Sequence, residues 1–162
     1  MDVHYPQTQH RPAARVLCVD GADRVLLLRW RDPADGGVLW EPPGGGIEDG
    51  EDALGAAKRE LVEETGLPPS AVGSCSVLVK RDTVWNGMRF VGTESFFFAR
   101  FDEPPALSRA GLHTYEVDAL LEARWVPWAE VGSLAERVEP PNLVEVLAAL
   151  EPEGPWAVAA RP

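Results

Sequence analysis

Between Pro42 and Pro69 the chain reads PPGGGIEDGEDALGAAKRELVEETGLPP, and this stretch leaves little freedom in how it folds. PPGGG is too rich in Gly and Pro to be regular, whereas EDALGAAKRELVEET contains helix formers and no Pro. The spacing predicts a loop followed by a helix over 51–65. Gly66 is placed to end that helix in a left-handed cap, with Pro68 and Pro69 just behind it. Inside it, Glu60, Glu63 and Glu64 fall within five consecutive positions. Each carboxylate raises the cost of ionising the next. The cluster is therefore either an ordinary solvated face or a place where something positive belongs.

Helix geometry sharpens the choice. With Ala53 at zero, Glu60, Glu63 and Glu64 fall at about 340°, 280° and 20°, an arc of about 100°. Ala53, Ala56 and Ala57 lie on the same side and are expected to leave open space above the patch, while Leu54 and Leu61 mark a face that buries against a sheet. Arg59 sits about 40° from Glu63, within reach of a carboxylate but at the edge of the cluster. Hard oxygen ligands in excess of local positive charge suit Mg²⁺ or Mn²⁺, with waters and substrate phosphates completing the shell. The chemistry implied is attack of a metal-activated water on a phosphate or diphosphate. The glycines of PPGGG let backbone approach a ligand closely. Glu51, at the helix start, is either a plain N-terminal acid favoured by the macrodipole or part of the site.

Gly45, Glu51 and the run Arg59-Glu60-Leu61-Val62-Glu63-Glu64-Thr65-Gly66-Leu67 resemble the Nudix box, GX5EX7REUXEEXGU with U apolar, at every fixed position. Seven fixed identities at residue frequencies of roughly 7% arise by chance about once in a hundred million windows. PPGGG before the box and RWVPWAEV after it also look like the family. The resemblance implies an α/β/α sandwich with a central mixed sheet. It also implies metal-dependent hydrolysis of nucleoside diphosphates linked to some other moiety, with one to three divalent cations. By position, Glu60, Glu63 and Glu64 are implied as metal ligands, with the Gly45 carbonyl adding one, and Arg59 and Glu51 as the groups that orient them. The general base is not fixed by the box. Glu116, in the irregular stretch GLHTYEVDALLEARW, is the first candidate outside it; Glu122 is the second and Glu94 the third, each otherwise a solvated acid.

The rest of the chain agrees with an α/β class. ARVLCVD and RVLLLRWR flank a turn signal at Asp20–Asp23 and read as a hairpin of core strands. GVLWE reads as a short extended piece. Residues 74–85 and 89–101 read as two long antiparallel strands around Asn86-Gly87. EARWVP is a last strand, and WAEVGSLAERV and NLVEVLAAL are amphipathic helices. Residues 102–121 receive no assignment. Helices on both faces of a mixed sheet are the expected architecture, in one domain over 1–162 with loose tails at 1–12 and 152–162.

Composition narrows the partners. A formal net charge of -11 lacks the basic stripe of a nucleic-acid binder. No run approaches the roughly 18 apolar residues of a membrane span, and the polar start has no secretion signal, so a cytoplasmic protein without membrane partners is expected. Cys18 and Cys75 match no metal or disulfide spacing and read as buried free thiols. His4, His10 and His113 lack ligand spacing and are set aside. A homodimer is compatible with the tail carrying Trp156, though nothing in its composition demands one.

Substrate choice lies outside the box. Arg29 and Arg31 alternate on one side of a strand and offer guanidinium groups to phosphates, unless they form surface ion pairs. Trp40, Trp85 and Phe90 are either base-stacking groups or core. The proline that many ADP-ribose hydrolases carry past the box would fall near Thr83 and is missing, as is the coenzyme A signature. Trp85 lies near a tyrosine position of dinucleoside polyphosphate hydrolases. The sequence points to a small-molecule nucleotide, first a nucleoside triphosphate or modified nucleotide. ADP-ribose, nucleotide-sugar or dinucleoside polyphosphate hydrolysis stays open, as does a nucleotide-sensing module without turnover; decay to such a module would be expected to cost acids that are all present here.

Overall fold

The computed structural model describes residues 6–158, so His4 and the last four residues lie outside the described part. A strand β1 (Gln7–His10) leads into a hairpin of β2 (Ala13–Asp20) and β3 (Arg24–Arg31). Asp20 closes the turn by accepting from the backbone N–H groups of Ala22 and Arg24 at 3.0 and 2.9 Å, the short-range bonding that makes Asp a turn residue. After β4 (Val38–Glu41), β5 (Gly44–Gly46) and helix α1 (Ala53–Thr65), two 14-residue strands follow, β6 (Val72–Trp85) and β7 (Met88–Phe101). Their turn places Asn86 at φ 50° and Gly87 at φ 76°, the positive pair that a primed two-residue turn requires. A short helix α2 (Thr114–Ala119), strand β8 (Leu120–Pro127), strand β9 (Arg137–Val138) and helix α3 (Leu143–Leu150) complete the order.

The sheet is mixed, in the order β1-β7-β2-β3-β4-β9, with β5 paired to β2, β6 to β7 and β8 to β3. Pairing of β2 with β7 is parallel, that of β6 with β7 antiparallel. Alternation along the central strands sends side chains to two cores. Ala14, Val16 and Cys18 face α1, packed with Ala56, Ala57 and Leu61. Leu17 and Val19 face the opposite side, packed with Leu143, Val146 and Leu147 of α3. The result is an α/β/α sandwich around a curled mixed sheet.

Five expectations need correction. PPGGG is not wholly irregular: Gly44–Gly46 pair with Ala13–Arg15, because a Cβ on Gly44 would collide with the Ala14 carbonyl and Arg15, so only glycine lets this strand lie so close. The alanines of α1 do not hold space open. Ala56 and Ala57 are fully buried against the sheet, where small side chains let helix and sheet approach closely. WAEVGSLAERV is not a helix. It forms a 3-10 segment over Trp128–Ser133 and then β9, whose pairing with Leu39 and Trp40 covers the edge of β4. The tails are not loose where described: Gln7–His10 pair with Met88–Val91. Trp156 is fully buried in the α3 core with its Nε1 donating to the Glu151 carbonyl at 2.7 Å, which removes it as a surface for a partner. Finally, both cysteines are free, but only Cys18 is buried, which pushes its thiol pKa up; Cys75 is exposed.

Candidate active site

Helix α1 is fixed at both ends by its own sequence. Asp52 caps it, accepting from Gly55 N at 2.7 Å, and Gly66 closes it at φ 73° with its N–H on the Val62 carbonyl. Thr65 ties the last turn, donating to the Leu61 carbonyl and accepting from Leu67 N. The glutamates are thereby held against β5. Glu64 accepts from Gly44 N at 2.7 Å. Glu60 lies so close to Gly45 that an added Cβ there would stand 2.6 Å from Glu60 Oε1.

Arg59 joins loop and helix. Its guanidinium donates to the Gly46 carbonyl at 3.0 Å, to Glu51 Oε1 at 2.7 Å, to Glu60 Oε1 at 3.0 Å and to Glu63 Oε2 at 3.2 Å. The short bond to Glu51 is charge-assisted and joined by a second from Nε to Glu51 Oε2 at 3.1 Å, which fixes the fork before it reaches the cluster. Glu51 in turn accepts from Glu48 N, and the Arg59 hydrogen bond holds its carboxyl below the usual range. One cation thus orients two of the three clustered acids and leaves Glu64 to the backbone.

Burial pushes the Glu60 carboxyl above its usual range, opposed by Arg59 and reinforced by Glu63 and Glu116. Glu64 is pushed well above it, first by burial and then by Glu60. Ionisation is disfavoured most at Glu64, whereas Glu60 has Arg59 beside it to offset its burial.

Residues 107–119 bring further groups over the end of α1. Ser108 N donates to the Thr65 carbonyl at 2.8 Å, and Gly111 presses on the Glu63 backbone, where a Cβ would stand 2.7 Å from the carbonyl oxygen. His113 Nε2 then lies 3.3 Å from Glu63 Oε2. Glu116, buried at the third position of α2, accepts from His113 N at 2.9 Å. His113 is a contact that sequence reasoning missed, since nothing in its spacing relates it to a residue fifty positions earlier.

Glu60, Glu64, Gly45 and Glu116 line one cavity of about 410 Å³. Its opposite part is walled by Trp30, Trp85, Met88 and Phe90, and between the two ends stand Arg15, Arg81 and Glu94. Arg15 Nε lies 2.7 Å from Glu94 Oε1 and Arg81 Nη1 3.1 Å from Glu94 Oε2. Glu94 is thus committed to two guanidinium groups. Glu122 sits on β8 with Arg124 at 2.9 Å and Arg29 at 3.8 Å, and is not among the lining residues. Arg29 is bound to Glu136 and lies over the ring of Trp40, itself core; neither Arg29 nor exposed Arg31 lines the cavity, whereas Trp85 and Phe90 do.

Among the described residues, no three Asp, Glu, His or Cys side chains converge tightly enough to hold an ion by themselves. The donor set still fits a divalent cation of the magnesium type, which takes one or two carboxylates and completes its shell from water and substrate oxygens. Glu60 and Glu64 are hard oxygen donors, Glu64 buried and Glu60 half-buried, with Arg59 the one guanidinium bonded to either, and they face the same space as Gly45 and Glu116.

The family model for the NUDIX domain matches residues 9–150. An RNA pyrophosphohydrolase of Novosphingobium aromaticivorans is 46% identical over 63 residues, which is 39% of this chain and 38% of that protein. An RNA pyrophosphohydrolase of Brucella anthropi is 36% identical over 155 residues, covering 81% of this chain and 82% of its own length. Among solved structures, a C. elegans Ap4A hydrolase binary complex matches with a TM-score of 0.61 at 19% identity, over 86% of this chain and 96% of that one. This last likeness is one of fold.

Proposed function

The chain is a Nudix hydrolase, a member of the NUDIX domain family, and from that premise we propose that it cleaves a phosphoanhydride bond in a nucleoside triphosphate or modified nucleotide, using Mg²⁺ or Mn²⁺. The observation that carries the reading is a cavity in which half-buried Glu60 and buried Glu64 share one end with Gly45 and Glu116, while aromatic walls form the other. Nudix hydrolases use divalent cations, which when bound neutralise phosphate charge and make water a stronger nucleophile.

The chain's own residues divide the work. Glu60, Glu63 and Glu64, with the Gly45 carbonyl, would hold the cation. Arg59 sets the angle of Glu60 and Glu63, and Glu51 fixes Arg59. Glu116 is the group that takes a proton from the attacking water: it faces the cavity from outside α1, and its bond from His113 N anchors the carboxyl. Trp85 and Phe90 offer faces for the base.

A second reading rests on the name of the B. anthropi relative: the triphosphate would be the 5′ end of an RNA. The net charge of -11 offers little to the strand beyond that end. The test is a panel of nucleoside triphosphates, ADP-ribose, a dinucleoside polyphosphate and a 5′-triphosphorylated oligoribonucleotide, assayed with Mg²⁺ for release of monophosphate or pyrophosphate. Turnover of at least one mononucleotide is expected, falling at least a hundredfold in Glu63→Gln or Glu64→Gln. Undiminished turnover in both variants would sink the metal assignment, and cleavage of the oligoribonucleotide alone would replace the first reading by the second. Tight binding with no turnover anywhere would make the chain a nucleotide sensor.

A further inference from the structure

Two buried donors open a question that the hydrolytic reading leaves unanswered. Trp30 Nε1 and Arg81 Nη1 have no hydrogen-bond partner among the described residues. Arg81 Nη1 lies 3.1 Å from Glu94 Oε2 as an ion pair, yet the alignment makes no hydrogen bond, and Nη2 is 3.6 Å from Glu139. Buried N–H groups are nearly always paired, so each orphan calls for a reason. Both residues line the same cavity, Trp30 from β3 and Arg81 from β6, and both are more than nine-tenths buried.

The surroundings say what kind of acceptor would satisfy them. Around Arg81, two guanidinium groups (Arg15 and Arg81) face three carboxylates (Glu41, Glu94 and Glu139). A phosphate brought there would meet a surplus of negative charge, whereas a neutral carbonyl would not. Nearby walls are flat and apolar: Trp30, Trp85, Met88 and Phe90 suit an aromatic ring rather than a sugar or a phosphate chain. A ring with an exocyclic amine in this position would add a donor to donors. We propose that Trp30 and Arg81 are specificity-determining residues that select a purine presenting a carbonyl beside an unprotonated ring nitrogen, guanine through O6 and N7, over adenine, whose 6-amino group would set a donor against these donors. Arg is suited to this because its fork can span a carbonyl and a neighbouring ring nitrogen. Both nitrogens are shielded from solvent, so the two side chains have to shift for a ring to reach them.

The inference rests on the nucleotide reading above but not on turnover, and its test separates the two. Binding of GMP and AMP is measured by calorimetry in EDTA, where no hydrolysis intervenes. Wild type is expected to hold GMP at least tenfold more tightly than AMP. Trp30→Phe, which keeps the ring and removes the N–H, and Arg81→Lys, which keeps the charge and removes the fork, are each expected to cut that preference to threefold or less. Equal weakening of both ligands, or no preference in wild type, overturns the proposal. If Arg81→Lys fails to fold, the Trp30→Phe ratio alone decides. Base preference without any hydrolysis would leave this inference standing and remove the hydrolytic one; hydrolysis without base preference would do the reverse.

Discussion

At one end of the cavity stand Glu60 and Glu64, which with Glu63 come from five consecutive positions of α1, and Arg59 beside them bonds two of the three. Toward the aromatic end, Trp30, Arg81 and Glu94 come from β3, β6 and β7, and the last two meet across a hairpin while Trp30 arrives from more than fifty residues away. The first end is local chemistry on a rigid element. The second is produced only by strand register. The acidic end tolerates almost no variation in spacing, because three carboxylates must share an arc of one helix. The aromatic end can be rebuilt by any substitution on three strands that keeps the sheet. Catalysis and selectivity in this molecule therefore sit on parts with different freedom to change, as expected where a fold carries many functions.

The sharpest way to break the comparison is to remove the acid that joins the acidic end from outside α1. Glu116 reaches the cavity from α2, and its substitution by Gln keeps the shape and the bond from His113 N. Turnover should fall by about 10²–10⁴, the range of a general base, with metal affinity nearly intact. Glu122→Gln should change turnover less than about twofold, because Glu122 is engaged with Arg124 outside the cavity. Steady-state rates and Mn²⁺ titration of both variants check this. Equal losses would mean that the outside acid cannot be chosen by cavity position.

A second test strikes the acidic end through its backbone. Gly45→Ala places a methyl 2.6 Å from Glu60 Oε1 and 2.7 Å from its carboxyl carbon. Glu60 must move, and displacement of about 1 Å at a reacting centre costs on the order of a hundredfold. The expected outcome is about a hundredfold lower kcat with an unchanged circular dichroism spectrum.

This division also explains what could be read from the sequence. The helix over Ala53–Thr65 and the Asn86-Gly87 hairpin were legible because their signals are local: spacing, caps and a turn that only certain residues accept. Gly44–Gly46 misled as a loop because its reason is a close approach to β2, which no local pattern announces. WAEVGSLAERV carried a helical pattern, but the open edge of β4 drew Arg137–Val138 into pairing instead. The contact of His113 with Glu63, the commitment of Arg29 to Glu136 and the cavity position of Arg81 all depend on register between distant strands or on the path of residues 107–119. None has a signature in one sequence.

The smallest expected effect concerns stability and distinguishes the two ends by sign. Glu64 is fully buried beside Glu60, with only Gly44 N and the more distant Arg15 to favour its charge, so the folded state bears the cost of an ionised or reluctantly protonated carboxyl. Glu64→Gln removes that cost and keeps an oxygen for Gly44 N. In EDTA at neutral pH the variant should melt higher than wild type by about 2–4 °C, the shift that about 1 kcal/mol gives in a chain of this size. Adding Mg²⁺ should raise the wild-type Tm and leave the variant's nearly unchanged, since a ligand stabilises only the state that binds it. Arg81→Gln should move the other way: Glu94 and Glu139 would lose a buried partner, and a charge left unpaired in the interior is destabilising. Residues kept for chemistry at the cost of stability gain it when neutralised, whereas residues that also hold the sheet together lose it. Melting curves of the two variants with and without the cation read that difference directly, and a lower Tm for Glu64→Gln in EDTA would show that its charge is already compensated before any metal binds.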